Sequence, residues 1–513
     1  MARDPAQYLL TEALDLAELG RGLTPFGLAI EPGLGIDAER SFYDTFDGRL
    51  HAEGLSLVHE SGRLALLYGG ARQCAGAGSA SDRDRFFASD LPPGALRELI
   101  LPLVEVRALL RIARVNSRRR PIRVVDDDAK TVVRLVAEEP RLVGAMDGEL
   151  GPRLYADAVR GYDKALDRVC RVLEGELGLV RADMSLQDEA VARVGGKPGG
   201  VPSGPGVELD REERADCAAA TILRRQLEVI EANLPGTLAN LDSEFLHDLR
   251  VGVRRTRSLQ RELRRVFPTE PLAHFRTEFR WLQAATGPTR DLDVYVLEFD
   301  DFREALPEDR RADLEPLRKL LMQRRARERR RMVRALRSAR AGRLLAEWAG
   351  FVAGLENAVE TDRPDAARPI AEVAGGRISR VYRQMVKAGR AIDDSSPPEA
   401  LHELRKKSKE LRYLLEFFSG LYPGKVVKPM VRTLKALQDT LGRFQDREVQ
   451  AELIRSLGDE VRALDDGAAA LMAMGQLVER LQEQQAAARA EFAVRFAAFA
   501  SPRQRALVRE TFT

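Results

Sequence analysis

Residues 247–257 read His-Asp-Leu-Arg-Val-Gly-Val-Arg-Arg-Thr-Arg, and residues 402–412 read His-Glu-Leu-Arg-Lys-Lys-Ser-Lys-Glu-Leu-Arg. Both stretches begin with a histidine, continue with a leucine two residues later, and then place cations at steps of three and four residues. Each shared position differs by 155 in number (402 − 247 = 155). Steps of three and four place side chains on one face of an α-helix. The sequence therefore predicts two helices with the same cationic face.

The correspondence continues beyond these stretches without a gap. Further pairs at the same spacing are Pro268 and Pro423, Arg280 and Lys435, Gln283 and Gln438, Gly287 and Gly442, and Asp291 and Asp446. A gapless copy of about fifty residues indicates internal duplication. We expect repeat halves of about 209–363 and 364–513.

The length and the charge distribution bound the architecture. A chain of 513 residues and 57.1 kDa is too long for one hydrophobic core and predicts more than one domain. Residues 1–208 hold 27 Lys or Arg and 32 Asp or Glu (27 − 32 = −5). Residues 209–513 hold the remaining 55 and 47 (55 − 47 = +8). The excess of positive charge lies in the duplicated part.

Cysteine usage and hydropathy predict the compartment. Cys74, Cys170 and Cys217 form no CxxC pair and no disulfide framework, which is typical of a reducing compartment. No secretory leader pattern and no run of eighteen apolar residues occurs. We expect a cytoplasmic protein that does not interact with a membrane.

A Gly/Pro-rich stretch divides the chain. Residues 195–206 read Gly-Gly-Lys-Pro-Gly-Gly-Val-Pro-Ser-Gly-Pro-Gly, a composition that favours neither helix nor strand. We predict an α+β domain over 1–180, a linker region over 181–208 and a helical domain over 209–513. The fold class is thus mostly α.

The two sides of this linker differ in periodicity. Before it, short apolar runs separated by turn residues predict an antiparallel sheet, followed by a helix over 155–179. After it, apolar residues recur every three or four positions. The predicted helical segments are 212–234, 244–266, 310–360 and 370–392, and the predicted strands are 8–15, 55–58, 64–68, 109–115, 121–125 and 131–137.

The duplicated helix places its cations beside an apolar stripe. On a helix over 244–266, the cationic face runs for about 21 Å from Arg250 to Arg264. The local acids, Asp248 and Glu262, are too few to neutralise it, so the face favours an extended anion, for which guanidinium geometry is suited. The predicted apolar stripes are Leu246, Leu249, Val253 and Leu263 in the first copy and Leu401, Leu404, Leu411, Leu415 and Phe418 in the second.

Other interpretations of these residues stay open. Most charged helix faces are only solvated or ion-paired, although keeping the charges in both copies favours a function. His247 and His402 have no neighbouring metal-ligand pattern or nucleophile, so we interpret them as residues that orient the surface and not as catalysts. Residues 318–343 hold twelve Lys or Arg and one acid, Glu328. That segment is either a solvated helix or a second polyanion-binding surface.

In these motifs, the region 209–513 resembles the CHAD family, the conserved-histidine α-helical domain. Leu-Arg-Tyr at 411–413 and Gly-x2-Arg-Asp-x-Asp-Val at 287–294, repeated in part at 442–449, add to the resemblance. It implies two helical bundles related by pseudo-twofold symmetry and binding of inorganic polyphosphate. The implied binding residues are His247, Arg250, Arg254, Arg257, Arg280, His402, Arg405, Lys409, Arg412 and Lys435.

The N-terminal part resembles a degenerate CYTH domain, the triphosphate tunnel fold. Phe-Tyr-Asp-Thr at 42–45, Arg49-Leu50, Gly-Leu-Ser-Leu at 54–57 and Arg-Gly-Tyr at 160–162 support the resemblance. The Glu-x-Glu-x-Lys strand that holds the metal in this family is missing, and residues 57–60 read Leu-Val-His-Glu where two cations are expected. We therefore expect no metal, no cofactor and no catalysis.

These observations predict a non-enzymatic protein whose partner is inorganic polyphosphate, including polyphosphate granules. An alternative is a metal-dependent triphosphatase or cyclase acting from 1–180. Another is a basic scaffold for nucleic acid or acidic proteins, and the lack of a recognition motif disfavours nucleic acid.

Overall fold

The computed structural model describes residues 6–11, 14–68, 71–76 (backbone only), 83–144, 148–204, 206–357, 362–393, 395–464 and 466–512. Internal contacts divide the chain into two compact units, Met1–Pro202 and Ser203–Thr513. The predicted domain boundaries stay predictions, and each unit is described by itself.

The first unit is built on an antiparallel sheet. Its strands lie in the order β12-β1-β11-β9-β8-β3-β4-β5-β6, with β10 beside β9 and with β2 and β7 beside β8. Their bounds are β1 Ala6–Leu9, β2 Ala29–Pro32, β3 Ile36–Asp44, β4 Leu55–Glu60, β5 Arg63–Tyr68, β6 Ala71–Gly76, β7 Arg85–Phe87, β8 Ala108–Val125, β9 Thr131–Leu142, β10 Gly148–Glu149, β11 Arg153–Ala158 and β12 Val180–Arg181.

Strand β8 joins two strands that the sequence predicts separately, at 109–115 and 121–125. Pro121 lies where its neighbour changes: β3 pairs up to Arg119 and β2 pairs from Ile122. The backbone N–H that proline lacks is therefore not needed for pairing with either neighbour, and the Pro121 carbonyl still accepts from Gly33 at 2.8 Å. A proline at this position is compatible with one continuous strand.

Five helices accompany this sheet in the described part of the unit. They are α1 Leu16–Leu23, α2 Arg49–Ala52, α3 Ala95–Val104, α4 Asp163–Gly175 and α5 Leu186–Arg193.

Two predictions of element boundaries in this unit are wrong in part. The helix predicted over 155–179 is β11 followed by α4, because residues 155–158 pair with β9 and β1 in the sheet. The strand predicted over 8–15 ends at Leu9, and the Asp15 carboxylate instead caps the N-terminus of α1. The predicted linker region contains α5, which buries Leu186, Ala190 and Val191 in a core of the first unit.

The second unit is helical. Its helices are α6 Ala215–Ala239, α7 Ser243–Glu262, α8 Thr269–Leu297, α9 Phe299–Glu304, α10 Glu315–Leu336, α11 Ala339–Gly354, α12 Ile370–Arg390, α13 Pro398–Phe418, α14 Gly424–Ser456, α15 Gly458–Arg462, α16 Gly467–Phe499 and α17 Pro502–Thr511. The segment predicted as helical over 310–360 divides into α10 and α11, with a short 3-10 helix at Glu308–Leu314 before them.

The duplication is visible in where helices begin. Helices α6, α7 and α8 begin at 215, 243 and 269, and α12, α13 and α14 begin at 370, 398 and 424. Each difference is 155 (370 − 215, 398 − 243 and 424 − 269). Three consecutive helices of each copy therefore occupy equivalent positions in the sequence.

The predicted apolar stripes form part of the main core of the second unit. Leu249 and Leu404 are fully buried, and the other predicted stripe residues of both copies are buried with them. Burying one leucine side chain contributes about 1.5–3 kcal/mol to folding. This core fixes α7 and α13 so that their cationic faces point away from it.

The predicted fold class is confirmed: a helical C-terminal region follows an antiparallel-sheet region. Pseudo-twofold symmetry stays a prediction. In the described part of the chain, no helix combines the length and the apolar character needed to cross a membrane.

Candidate functional site

Arg250 is buried at the base of the first cationic face. It is 8% exposed, and its Nη1 donates to the Gln283 carbonyl and to the Thr286 hydroxyl, both at 3.0 Å. None of the described carboxylates forms an ion pair with it. Burial, assisted by the charge of Arg254, lowers the pKa of Arg250 to about 10. The charge of the Asp291 carboxylate opposes this shift without forming an ion pair, so the positive charge of Arg250 is only partly balanced.

The neighbouring cations of the first copy are also close to one another. Arg257 donates to the side-chain oxygen of Gln283, and burial together with the charges of Arg280, Arg261 and Arg276 lowers its pKa. Arg280 and Arg276 are exposed on α8. The structure therefore brings the predicted residues of α7 and α8 together around a positive potential.

In the second copy, Arg405 is ion-paired. Its Nη2 lies 2.9 Å from Oδ1 of Asp446, whose side chain is 59% exposed. An exposed ion pair of this kind contributes only about 0–1 kcal/mol, so an incoming anion can displace the carboxylate. Arg405 is accessible where its equivalent, Arg250, is buried.

Lys409 lies at the centre of the cationic surface. Its side chain is exposed, yet burial of the ammonium by surrounding protein, together with the positive charges of Arg405 and Arg254, lowers its pKa to about 8. The charges of Arg405 and Arg254 act on this ammonium, and the Asp446 carboxylate opposes them. Lys409 therefore lies among cations of both copies on an exposed surface.

Arg254 connects the two copies. It is the equivalent of Lys409 (254 + 155 = 409), and its charge acts on both Lys409 and Arg250. Its Nε is buried and has no hydrogen-bond partner among the described residues. The two cationic faces meet at these equivalent residues.

Two ion pairs join α7 to α13 in a reciprocal pattern. Arg255 pairs with Glu416 at 2.9 Å, and Arg261 pairs with Glu410 at 3.5 Å. Glu410 is the equivalent of Arg255 and Glu416 is the equivalent of Arg261 (255 + 155 = 410; 261 + 155 = 416). A contact from one position to a second thus returns from the second to the first, as a twofold axis between the copies requires. The pattern supports the predicted symmetry.

The histidines differ in how they are held. Gln445 donates from Nε2 to Glu448 at 3.1 Å, so its Oε1 is left as the acceptor and the Nδ1–H of His402 donates to it. His402 is thereby fixed in one tautomer beside the cationic face. His247 lies half-buried at the equivalent position of α7.

The remaining predicted residues lie at the edges of the surface. Arg412 is exposed and donates from Nε to Glu416 at 2.6 Å, so its charge is partly neutralised. Lys435 is exposed on α14 and has no ion-pair partner in the described ranges. Arg264 is not part of the face, because α7 ends at Glu262. Arg261 is neutralised by Glu262 at 2.7 Å and by Glu410, which corrects the expectation that local acids are too few.

No metal centre is evident in the described part of the chain, where no cluster of three His, Cys, Asp or Glu is arranged to hold an ion. Cys170 and Cys217 are free thiols, and the side chain of Cys74 lies outside the described residues.

Comparison with known proteins identifies the domain that contains these cations. Residues 221–455 match the model of the CHAD domain family. This chain contains a CHAD domain. All ten predicted site residues lie within it. The CYTH-like resemblance of the N-terminal sheet stays a prediction.

The CHAD-containing chain is similar to two uncharacterized proteins of Mycobacterium tuberculosis, from strains CDC 1551 / Oshkosh and ATCC 25618 / H37Rv. Each is 27% identical over 277 residues, which are 51% of this chain and 48% of the relative. This chain therefore spans about half the length of the curated relatives it matches.

Two solved structures are also similar. The CHAD domain from the plant Ricinus communis is 25% identical with a TM-score of 0.49, over 57% of this chain and 94% of that one. PptA from Streptomyces chartreusis is 18% identical with a TM-score of 0.42, over 55% of this chain and 99% of that one.

Sequence reasoning missed two cations of the CHAD domain. Arg276 belongs to the group around Arg257, and its spacing of four residues from Arg280 on α8 could have indicated this. Arg290 adds its charge near Arg250 but is itself paired with Glu244 at 3.2 Å. Arg290 is the arginine of the Gly-x2-Arg-Asp-x-Asp-Val motif at 287–294, and that motif could have indicated it.

Proposed function

We propose that this chain binds inorganic polyphosphate on the cationic surface of α7, α8, α13 and α14, without a catalytic step. The observation that carries the proposal is a group of neighbouring cations that form no ion pair with a carboxylate. Among the described residues, seven cations of this surface have no carboxylate ion-pair partner: Arg250, Arg254, Arg257, Arg276, Arg280, Lys409 and Lys435.

The lowered pKa values favour an anionic ligand. At Arg250 and Lys409, burial and neighbouring cations make the charged form costly in the empty site. An anion bound there offsets that cost, and guanidinium groups match phosphate oxygens in geometry. A linear phosphate chain supplies repeated charges along a surface made by two equivalent copies.

The family and the paired arginines of the first unit also support the proposal. CHAD domains are associated with polyphosphate-related proteins. In the sheet unit, Arg40 is paired with buried Glu138, and Arg119 is paired with Glu60 at 2.9 Å. These sheet arginines are already neutralised, which disfavours a triphosphate site there. We extend the proposal to a cytoplasmic location with association to polyphosphate granules.

Titration of the full chain with long-chain polyphosphate tests the proposal. We expect saturable binding that is tighter than binding to duplex DNA of matched charge. Equal affinity for the two polyanions would contradict a specific polyphosphate site.

The absence of catalysis has its own test. We expect no phosphate release from tripolyphosphate in the presence of Mg²⁺ or Mn²⁺. Release that EDTA abolishes would instead establish a metal-dependent triphosphatase.

A further inference from the structure

Helix α10 separates its cations into two groups. Five basic residues have partners: Arg318 with Glu315, Arg324 with Glu460, Arg325 with Asp293, Arg331 with Glu328, and Arg329 with the Leu238 carbonyl. Five others, of which Arg337 is the residue that caps the C-terminus of α10, are exposed and have no ion pair or side-chain hydrogen bond with any described residue: Lys319, Arg327, Arg330, Arg334 and Arg337. We name the second group the open stripe.

The open stripe runs along one side of the helix, with a gap of about 12 Å between Lys319 and Arg327. At 100° per residue, its members lie within an arc of about 80°, and from Lys319 to Arg337 it spans about 27 Å. The partnered residues lie outside this arc. The described contacts therefore give partners to the other cations of α10 but not to those of the open stripe.

Like charges at steps of three and four residues destabilise a helix by a few tenths of a kcal/mol per pair. Arg327, Arg330 and Arg334 are related by such steps. Glu328, the acid that lies among them in the sequence, forms its ion pair with Arg331. Repulsion along the open stripe is relieved only by solvent ions or by a bound anion.

We propose that the open stripe is a second binding surface for a linear phosphate chain, on a different helix from the cationic surface of α7, α8, α13 and α14. The proposal rests on the proposed function, because it assigns the same class of ligand. A long chain that contacts both surfaces gains affinity by multivalency, whereas a chain too short to reach both does not.

The shape and composition of the stripe favour this occupant over others. Residues 315–336 contain no aromatic side chain, which disfavours the base stacking that single-stranded nucleic acid uses. A single line of charge matches one chain of phosphates, whereas duplex DNA presents two backbones across a groove about 12 Å wide. Membrane-surface helices need a broad apolar face, and the partnered face of α10 packs against protein instead.

The test compares two triple variants of the full chain. The first changes Arg330, Arg334 and Arg337 to Gln on the open stripe. The matched control changes Arg462, Arg480 and Arg495 to Gln, which are exposed and ion-paired with Asp459, Glu483 and Glu491. Both variants lose three positive charges.

We expect the stripe variant to lower the affinity for long-chain polyphosphate about tenfold or more and to leave that for tripolyphosphate unchanged. Its slope of log affinity against log salt should fall in magnitude by about two, since each phosphate contact contributes about 0.7. The control variant should change neither quantity.

Three outcomes would overturn the inference: no loss with the stripe variant, an equal loss with the control, or an equal loss for duplex DNA. The proposed function fails separately, when the wild-type chain does not prefer polyphosphate over DNA or when changing Arg405 and Lys409 has no effect.

Discussion

The two copies keep the same cations and use them differently. Arg250 is buried and bonded to the Gln283 carbonyl and Thr286, whereas its equivalent Arg405 is half-buried and paired with an exposed carboxylate. Arg254 is half-buried, whereas its equivalent Lys409 is exposed. The first copy thus supplies a buried charge held by hydrogen bonds, and the second supplies charges that are more open to solvent. Both copies keep a cation at each of these positions, and the two copies differ in how deeply that cation is buried.

The largest effect is expected from the accessible copy. Changing Arg405 and Lys409 together to Ala should lower the affinity for long-chain polyphosphate about a hundredfold, because each lost charged contact is worth about 1.5–3 kcal/mol. The free energy of unfolding should not fall by more than about 1 kcal/mol, since the only ion pair lost is with an exposed carboxylate and the charge of Lys409 does not stabilise the fold at neutral pH. Titration and chemical denaturation measure the two quantities.

The matched control changes Lys406 and Lys407 to Ala. These lysines are on the same helix but bond to Glu403 and Gln384. An equal loss of affinity in the control would show that net charge matters and not the site.

Changing Arg250 in the first copy should affect polyphosphate affinity and the stability of the fold differently. The pKa of Arg250, about 10 against an ordinary 12.5, corresponds to about 3 kcal/mol of cost for the charged form in the folded state. Arg250→Met removes this cost and loses two hydrogen bonds, so we expect unchanged or slightly higher stability with polyphosphate affinity about tenfold lower. Thermal denaturation and titration check both.

Arg255→Met is the control for Arg250→Met, because Arg255 is equally buried but paired with Glu416. We expect it to be destabilising, since it removes one partner of a half-buried ion pair. If Arg250→Met is destabilised as strongly and binds normally, Arg250 is only structural.

Lys409 gives the surface a dependence on pH. Its pKa is about 8 in the free chain, and a bound anion favours the protonated form, so affinity should fall as pH rises from 7 to 9. Lys409→Arg stays charged in this range and should flatten the profile. A steep profile in the Arg variant would assign the pH dependence to another group.

The same shift has a defined effect on stability. The folded-state pKa lies below the unfolded value near 10.5, so between about pH 8 and 10.5 the unfolded chain binds more protons. The destabilising contribution of Lys409 is therefore fully present below pH 8 and decreases as pH rises through this window.

The smallest effect is expected from the carboxylate that pairs with Arg405. Asp446→Asn frees Arg405 and removes a negative charge from the site, which should raise polyphosphate affinity up to about fivefold, the worth of an exposed ion pair. Asp291→Asn is the comparison in the first copy, where the structure shows no ion pair with Arg250 among the described residues. A decrease in affinity for Asp446→Asn would mean that the carboxylate contributes to binding.

The helices and their faces were predictable, because helical periodicity is local. The spacing of Leu249 and Leu404 among cations was enough to predict which side is buried. The neutralisation of charges was not predictable, because it depends on distant residues: Glu410 and Glu416 of the second copy neutralise Arg261 and Arg255 of the first. Sequence proximity likewise could not separate the open stripe of α10 from its partnered residues.

In the first unit, the sequence predicted a helix in one place where pairing with distant strands produces a strand. Residues 155–158 are strand because β9 pairs with all four of them and β1 with two, and Gly161, whose φ is +92°, separates them from α4. Tertiary context overrides local preference at this position.

The most direct test of the central claim is the salt dependence of polyphosphate binding by the wild-type chain and the Arg405→Ala/Lys409→Ala variant. If cations of both copies contact phosphates, log affinity should fall linearly with log salt, and the variant should have a slope smaller in magnitude by about 1.4, or 0.7 for each lost contact. Identical slopes for the two proteins would contradict the account.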